Sequence, residues 1–305
     1  MFAPPELIPA ELVARMPESL HLREGKSPRF GSRKHYLEGP AVARDGTLYF
    51  TDVAGGRILR LEPDGEISVF LEYDGEPNGM KIHKDGRFFV ADNKRGIIYI
   101  DPISKKISTF VDRLHNERMR GPNDLVFADN GDLYFTDQGN SDLQRPHGRV
   151  IRTSPDGASD VLVTGIPSPN GLVLGNQGAG WLDHTFLFIA VTRENTVWRT
   201  VIYPDGHIDR TGVYIHFSGG GGPDGMAVDQ NDNLIVAHSG FGCAWVFDSK
   251  GEPIYRINSC TGGLGVSNVS FGGSDHRTLY ITESVTGSVM TARMPVPGQK
   301  LYSHL

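Results

Sequence analysis

One short pattern occurs six times along this chain and constrains its fold more than any other feature. Each copy has a polar corner, an apolar segment, a tight turn and a second apolar segment that in most copies ends in Asp or Glu. The corners are Glu38-Gly39-Pro40, Glu76-Pro77-Asn78, Gly121-Pro122-Asn123, Ser168-Pro169-Asn170, Gly222-Pro223-Asp224 and Val266-Ser267-Asn268. Most spacings between successive corners fall in the forties, the period of propeller blades. The sequence therefore predicts an all-β, six-bladed β-propeller.

Turn residues support this prediction. Asp45-Gly46, Asp85-Gly86 and Asn130-Gly131 each separate two apolar segments. Such pairs favour the tight turn of a β-hairpin, because both central residues of a type I′ turn need a positive φ. We therefore expect each copy to form antiparallel strands.

The sequence predicts one domain over residues 1–305. Although the chain is long for a single core, each blade of a radial repeat packs mainly on its neighbours. The last copy runs out after residues 288–294 and lacks an outer strand. We expect the segment 1–37 to supply it, with Leu12–Met16 as the closing strand. The remainder of that segment, from Glu18 to Lys34, is expected to form a connector or lid.

Charge and hydropathy argue against several classes of function. A net charge of −6 without a long basic run argues against a nucleic-acid partner. No apolar stretch approaches the roughly 20 residues of a membrane-spanning helix. Residues 1–20 lack the basic-then-apolar order of a signal peptide. We expect a cytoplasmic protein, a monomer or small homo-oligomer, that binds neither nucleic acid nor membranes.

The two cysteines suit that compartment. Cys243 and Cys260 are predicted to fall in different strands of the fifth copy, and the residues leave open whether they pair. Two buried, reduced thiols are the simpler interpretation for a chain with so few cysteines.

The corners also have a chemical interpretation. In a propeller, the residue just before the innermost strand of a blade lies at the mouth of the central channel. Six polar residues are predicted there: Glu38, Asn78, Asn123, Asn170, Asp224 and Asn268. Asn and Asp are ordinary turn residues beside Pro and Gly, but six in one register favour a ring of ligands. Their oxygens suit Ca²⁺, Mg²⁺, Mn²⁺ or Zn²⁺, and two acids among amides balance one divalent ion.

Four corner motifs resemble the gluconolactonase and regucalcin (senescence marker protein) family, which includes luciferin-regenerating enzymes. They are Glu38-Gly39-Pro40, Pro122-Asn123-Asp124-Leu125, Pro169-Asn170-Gly171-Leu172 and Pro223-Asp224-Gly225-Met226. The similarity extends from about Glu38 to Met294. It implies one divalent metal ion at the channel mouth, Ca²⁺ before Mg²⁺, Mn²⁺ or Zn²⁺. The implied ligands are Glu38, Asn123, Asn170 and Asp224.

The resemblance also implies an activity, the hydrolysis of a sugar (aldono) lactone. Asp224 is the implied base, with His238 and Asp137 as the next candidates. The expected substrate contacts are Asn78, Arg118, Arg120 and Asn268, and the residues leave open which arginine takes part. Two alternatives stay open: a phosphotriesterase or other ester hydrolase on the same metal site, and a non-enzymatic calcium-binding propeller.

Overall fold

The computed structural model describes residues 3–23, 29–176 and 184–305. Within these ranges the chain consists mainly of strands, which form the six blades of a β-propeller, as the repeats predicted. The helical segments there are three short 3₁₀ turns, Glu18–Leu20, Thr192–Glu194 and Tyr302–His304. Across the described residues, no helical segment has the length and apolar character of a membrane span.

The first three blades are antiparallel sheets of four strands, ordered from the channel outward. Blade one contains Leu37–Val42, Leu48–Asp52, Arg57–Leu61 and Ile67–Glu72. Blade two contains Pro77–Ile82, Phe88–Asp92, Gly96–Ile100 and Ile107–Val111. Blade three contains Pro122–Phe127, Leu133–Asp137, Gly148–Thr153 and Ser159–Ile166. Between blades two and three, Arg113–Leu114 and Glu117–Arg118 form a small hairpin.

The other three blades follow the same plan. Blade four contains Pro169–Gly175, Thr185–Val191, Thr196–Ile202 and Ile208–His216. Blade five contains Gly222–Val228, Leu234–Ser239, Cys243–Phe247 and Pro253–Asn258, with Glu6–Leu7 added in parallel at its outer edge. Blade six contains Val266–Gly272, Thr278–Glu283, Ser288–Arg293 and, outermost, Ala10–Arg15.

The outer strand of blade six thus comes from the N-terminal part of the chain. Ala10–Arg15 pairs antiparallel with Ser288–Arg293 and covers residues 12–15 of the expected closing strand. Met16 lies just beyond it, and its backbone N–H donates to the carbonyl oxygen of Gly287 at 2.7 Å. Residues 1–2 and 24–28 of the expected segment 1–37 lie outside the described residues.

Apolar side chains fill the space between neighbouring blades. Ile58 of blade one, for example, belongs to one buried cluster with Met80 and Val90 of blade two. At the closure, Ala14 and Met16 join a cluster between blades six and one. Each blade therefore buries its apolar side chains against its two neighbours.

The inner strand of every blade has a β-bulge at its corner. In blade two, Pro77 pairs with Asp92 and Met80 with Val90, so Asn78 and Gly79 lie between the two pairs. A bulge inserts one extra residue and redirects side chains. Two successive residues of each blade therefore lie at the channel mouth.

The C-terminal segment crosses the opposite end of the channel. Gly298 forms a β-bridge with Asp229 of blade five, and Tyr302 stacks on Phe127 of blade three with ring centroids 4.7 Å apart. Arg44 of blade one donates to the carbonyl oxygen of Ser303 at 2.5 Å. This segment lines a cavity of about 300 Å³ at that end.

The two cysteines are unpaired. Cys243 is buried in the third strand of blade five, whereas Cys260 is exposed and lies after Pro253–Asn258 rather than in a strand.

Candidate functional site

Five of the predicted side chains form one layer at the channel mouth. They are Glu38, Asn78, Asn123, Asn170 and Asp224, which hold equivalent places in the bulges of blades one to five. All except the partly buried Asn170 are at most 5% exposed. The repeated corner therefore brings oxygen-bearing side chains from different blades into one protected region.

The next residue of each inner strand forms a second layer. It is glycine in four blades and a polar residue in the other two, Asp124 and Asn268. A Cβ on Gly79 would lie 2.1 Å from Oδ1 of Asp124, and one on Gly225 would lie 2.1 Å from Oδ1 of Asn268. The glycines leave room for these two side chains.

The position of Asn268 corrects the predicted register. Val266 pairs with Glu283 just as Pro77 pairs with Asp92, so Ser267 holds the sixth place in the first layer. The Ser267 hydroxyl donates to the carbonyl oxygen of Leu37 at 2.7 Å. Because Ser267 and Asn268 are both polar, the sequence alone does not show which of them belongs to the first layer.

Asn268 joins two carboxylates. Its Nδ2 donates to Oε2 of Glu38 at 2.9 Å and to Oδ2 of Asp124 at 3.3 Å. Its Oδ1 accepts the backbone N–H of Val269 at 2.8 Å. Both polar atoms of this amide are therefore engaged with the protein, and the amide fixes the orientation of Glu38.

Burial and mutual repulsion shift the pKa values of the acids. Burial raises the pKa of Glu38 to about 7. Burial, followed by the charges of Glu38 and Asp124, raises the pKa of Asp224 well above its usual value. The pKa of Asp124 is raised by burial, and the positive charge of Lys81 partly offsets that shift. These carboxylates lie in a region that favours a positive charge between them.

Asn78 and Asn170 are two of the three amides in the first layer. Oδ1 of Asn78 is buried and has no hydrogen-bond partner. Nδ2 of Asn170 donates to the Thr192 hydroxyl at 3.1 Å, and a hydrogen bond from Asn170 to Asp224 lowers the pKa of that acid. An unpartnered buried carbonyl costs about 1–3 kcal/mol, which a bound ligand would relieve.

The donor set suits a hard divalent cation. Carboxylate and amide oxygens are the ligands that Ca²⁺ and Mg²⁺ prefer, and Asn78 offers a free oxygen in the same layer. Over residues 3–23, 29–176 and 184–305, no three His, Cys, Asp or Glu side chains form a cluster that could hold a metal ion. A cation here would therefore depend on amide oxygens as well as on Glu38 and Asp224.

The two candidate arginines differ in their surroundings. Nε of Arg120 donates to Oε1 of Glu117 at 2.9 Å, and Nη1 donates to the carbonyl oxygen of His147 at 2.6 Å. Arg118 is exposed at the end of the small hairpin. Its guanidinium makes no hydrogen bond or ion pair among the described residues, so it is the arginine that is available to a ligand.

The other candidate bases are occupied. Oδ1 of Asp137 accepts the backbone N–H groups of Arg120 and Gly121, and Oδ2 accepts Nε of Arg149 at 2.8 Å. Asp52 and Asp92 accept backbone N–H groups at the same place in their blades. The repeated acid therefore fixes the corner.

His238 is engaged at both ring nitrogens. Nε1 of Trp245 donates to Nδ1 of His238 at 3.2 Å, and Nε2 of His238 lies 3.1 Å from the carbonyl oxygen of Gly219. This arrangement places the imidazole proton on Nε2. Because both ring nitrogens are already engaged, neither is free to accept a proton from water. Burial also lowers the pKa of His238.

A comparison with known families decides which family the chain represents. A model described as the SMP-30/Gluconolactonase/LRE-like region matches residues 37–285. This chain belongs to that family. The matched region begins immediately before Glu38 and ends after Glu283, and it includes all six corners.

Individual relatives agree with this membership. A gluconolactonase of Zymomonas mobilis subsp. mobilis is 32% identical over 281 residues, which cover 82% of this chain and 76% of the relative. The lactonase drp35 of Staphylococcus aureus is 33% identical over 233 residues, which cover 72% and 69%.

Two solved structures share the fold of this chain. A gluconolactonase from Xanthomonas campestris is 22% identical, with a TM-score of 0.74 and coverage of 97% of this chain and 99% of the other. A regucalcin from Agrobacterium tumefaciens, described as a calcium-binding protein, is 17% identical, with a TM-score of 0.76 and coverage of 98% and 99%. At these identities the likeness supports the fold alone.

Three residues near the site were not found from the sequence. Asp124 could have been found, because it stands where four other corners have glycine. Lys81 gave no signal, since a lysine in a strand usually faces solvent. Tyr36 precedes the first corner; burial and the charges of Asp224 and Glu38 raise its pKa.

Proposed function

We propose that this protein is a metal-dependent lactonase that opens the ring of a sugar (aldono) lactone by hydrolysis. The observation that carries the proposal is the pair of buried acids, Glu38 and Asp224, among amide oxygens at one channel mouth of a family member. Two relatives named gluconolactonase and lactonase are at least 32% identical to this chain, which supports lactone hydrolysis.

The residues that would hold the ion are Glu38, Asn123, Asn170 and Asp224. Their oxygens fit Ca²⁺ first, in line with the calcium-binding description of the regucalcin structure, and admit Mg²⁺, Mn²⁺ or Zn²⁺. When bound, such an ion supplies Lewis-acid stabilisation of the negative charge that develops on the lactone carbonyl oxygen.

The protein's own residues would handle the proton. A carboxylate oxygen of Asp224 takes a proton from the attacking water, whose oxygen bonds to the carbonyl carbon. The bond from that carbon to the ring oxygen then breaks, and the ring oxygen takes the proton from Asp224. Asn170 orients Asp224 through its hydrogen bond. The product is the open hydroxy acid.

The remaining site residues are of two kinds: those proposed to contact the substrate and those proposed to position other residues. Asn78 and Arg118 are proposed as substrate contacts, since the first has a free buried oxygen and the second an uncommitted guanidinium. Arg120 is proposed to hold the hairpin, and Asn268 to act on the substrate through Glu38.

We also propose a cytoplasmic monomer or small homo-oligomer whose partner is a small lactone. The two unpaired cysteines and the net charge of −6 support a reducing compartment without nucleic acid.

The test is a substrate screen with glucono-δ-lactone and a phosphotriester, with Ca²⁺ present and after exhaustive chelation. We expect Ca²⁺-dependent turnover of the lactone. Lactone turnover that survives chelation would contradict the metal mechanism. Turnover of the phosphotriester alone would support the other hydrolase, and no turnover with Ca²⁺ bound would support a binding protein.

Asp224→Asn tests the base separately from the ion. It nearly preserves shape, and we expect kcat to fall by about 10²–10⁴-fold, the contribution of a positioned base. Metal affinity should fall less than in Glu38→Ala. Full activity of the metal-loaded variant would place the base elsewhere.

A further inference from the structure

Thr192 lies between blades four and five, next to the candidate site. It follows the second strand of blade four, Thr185–Val191, and begins the 3₁₀ turn Thr192–Glu194. Its backbone N–H donates to the carbonyl oxygen of Ser168 at 3.1 Å. On the other side, a Cβ on Gly222 would lie 2.2 Å from the carbonyl oxygen of Thr192, so the two backbones are in close contact. Both blades therefore hold the Thr192 backbone in place.

The hydroxyl proton of Thr192 is committed to a neighbouring corner. The hydroxyl donates to the carbonyl oxygen of Pro223 in blade five at 2.8 Å. The Thr51 hydroxyl makes the same kind of bond between blades one and two, to the carbonyl oxygen of Asn78 at 2.7 Å. A hydroxyl has one proton to donate. Because Thr192 gives that proton to Pro223, it can only accept a hydrogen bond from another side chain.

The bond that Thr192 accepts decides which way the Asn170 amide faces. Nδ2 of Asn170 lies 3.1 Å from the Thr192 hydroxyl. Since the hydroxyl can only accept, the atom beside it must be the amide nitrogen, which donates, and not the amide oxygen. The carboxylate of Asp224 also accepts a hydrogen bond from Asn170. Within residues 3–23, 29–176 and 184–305, Oδ1 of Asn170 is left without a hydrogen-bond partner.

We propose that Thr192 is a positioning residue that fixes the orientation of the Asn170 amide, so that its oxygen rather than its nitrogen is offered to the divalent cation. The inference rests on the proposed function, in which Asn170 is a ligand. An Asn side chain flipped about its last bond keeps its shape but presents N–H groups, which repel a cation. Thr192 acts through Asn170 and not on the substrate.

The test measures the Ca²⁺ dissociation constant of the full-length protein by calorimetric titration. Thr192→Val has nearly the same shape and lacks the hydroxyl. We expect its dissociation constant to rise about 10- to 100-fold, as for other groups that orient a metal ligand. Thr192→Ser keeps the hydroxyl and should bind Ca²⁺ as the wild type does.

Thr200→Val is the matched control. Thr200 is buried in the same blade, and its hydroxyl also donates to a backbone carbonyl oxygen, that of Asp209 at 3.1 Å. This variant loses a comparable hydrogen bond away from the corner, so it should leave Ca²⁺ binding unchanged. If Thr192→Val does not fold, Thr192→Ala gives the same comparison, because it also lacks the hydroxyl.

A change at Asn170 separates an orienting role from a general loss of structure. In Asn170→Asp both atoms at the end of the side chain are oxygens, so its orientation no longer matters. Adding Thr192→Val to that variant should leave the dissociation constant close to that of Asn170→Asp alone. An equal loss of affinity with Asn or Asp at this position would overturn the inference, as would wild-type affinity in Thr192→Val.

These outcomes are distinct from those that test the proposed function. Ca²⁺-dependent turnover of glucono-δ-lactone by the wild type, together with unchanged Ca²⁺ binding in Thr192→Val, would overturn this inference alone. A wild type that binds no Ca²⁺ would overturn both this inference and the metal-dependent mechanism.

Discussion

At the scale of single residues, the second layer of the channel depends on glycine. Gly225 lies beside Asn268, which in turn holds Glu38 by a hydrogen bond of 2.9 Å. A methyl group at Gly225 would displace the Asn268 amide and remove the group that orients a proposed ligand.

We therefore expect Gly225→Ala to lower the free energy of unfolding by about 1–3 kcal/mol, as for other overpacked sites, and to weaken Ca²⁺ binding. Gly212→Ala is the matched control, because Gly212 has an ordinary φ and a Cβ at this position would meet no atom within 4 Å beyond its chain neighbours. It should be neutral or slightly stabilising. Urea unfolding and calcium titration measure both effects, and equal behaviour of the two variants would contradict the argument.

At the residue scale, the repeat predicts the place of a side chain in its blade, whereas the role of that side chain in binding or catalysis stays a prediction. The corner pattern placed Glu38, Asn123 and Asp224 at the channel mouth because one residue per blade recurs at a fixed place. The same pattern assigned Asn268 to the first layer, where the structure has Ser267. Two adjacent polar residues form this corner, and the sequence does not show where the bulge inserts its extra residue.

At the scale of elements, the strand Ala10–Arg15 completes blade six. Its inner side is buried: Ala14 is 6% exposed and Met16, just beyond the strand, is 3% exposed, whereas Leu12 is 47% exposed. The N-terminal segment thus contributes core packing as well as backbone hydrogen bonds.

We expect Met16→Ala to lower the free energy of unfolding by about 2–5 kcal/mol, the usual cost of truncating a buried methionine. Leu12→Ala, a comparable truncation four residues earlier, should cost less than about 0.5 kcal/mol because the side chain is largely in solvent. Urea denaturation of both variants gives the comparison. If the two variants lost similar amounts of unfolding free energy, the closing strand would contribute equally at both positions, contrary to this expectation.

The short elements were harder to predict than the long ones. The strands of each blade follow from alternating apolar segments and Asp-Gly turns. Glu6–Leu7 and the hairpin of Arg113–Leu114 with Glu117–Arg118 contain two-residue strands, which are too short to show a period of two. These short strands are recognised from their pairing with other strands in the structure.

At the scale of the whole molecule, six repeats were enough to predict the ring, because each repeat specifies one blade and neighbouring blades bury each other's faces. That arrangement leaves a centre in which acids from different blades face each other. Their charges make the stability of the metal-free protein depend on pH.

The pKa of Glu38 is raised from 4.5 to about 7, so the folded protein retains a proton that the unfolded chain loses. Stability should therefore fall as pH rises from about 4.5 to 7, by about 3 kcal/mol from Glu38. Asp124 and Asp224 act in the same direction. His35 and His238, whose pKa values are lowered by burial, act in the opposite direction up to about pH 6.5.

The measurement is urea unfolding of the chelated protein at pH 5 and pH 8, compared with Glu38→Gln. The variant should lose the part of the decrease that comes from Glu38, about 3 kcal/mol, and keep the contributions of Asp124, Asp224 and the two histidines. Added Ca²⁺ should stabilise the wild type more at pH 8 than at pH 5. An identical pH profile in both proteins would show that Glu38 carries no such proton.

The pairing of Ala10–Arg15 with Ser288–Arg293 also has a consequence for synthesis on the ribosome. The first of these strands is translated before blade one, but its partner is translated only after five blades have been made. Until then the nascent chain carries an unpaired strand before blade one and an incomplete ring after it, and unpaired edges invite association with other chains. A product truncated within blade six would keep both edges, so quality control by chaperones and proteases could distinguish it from the finished ring.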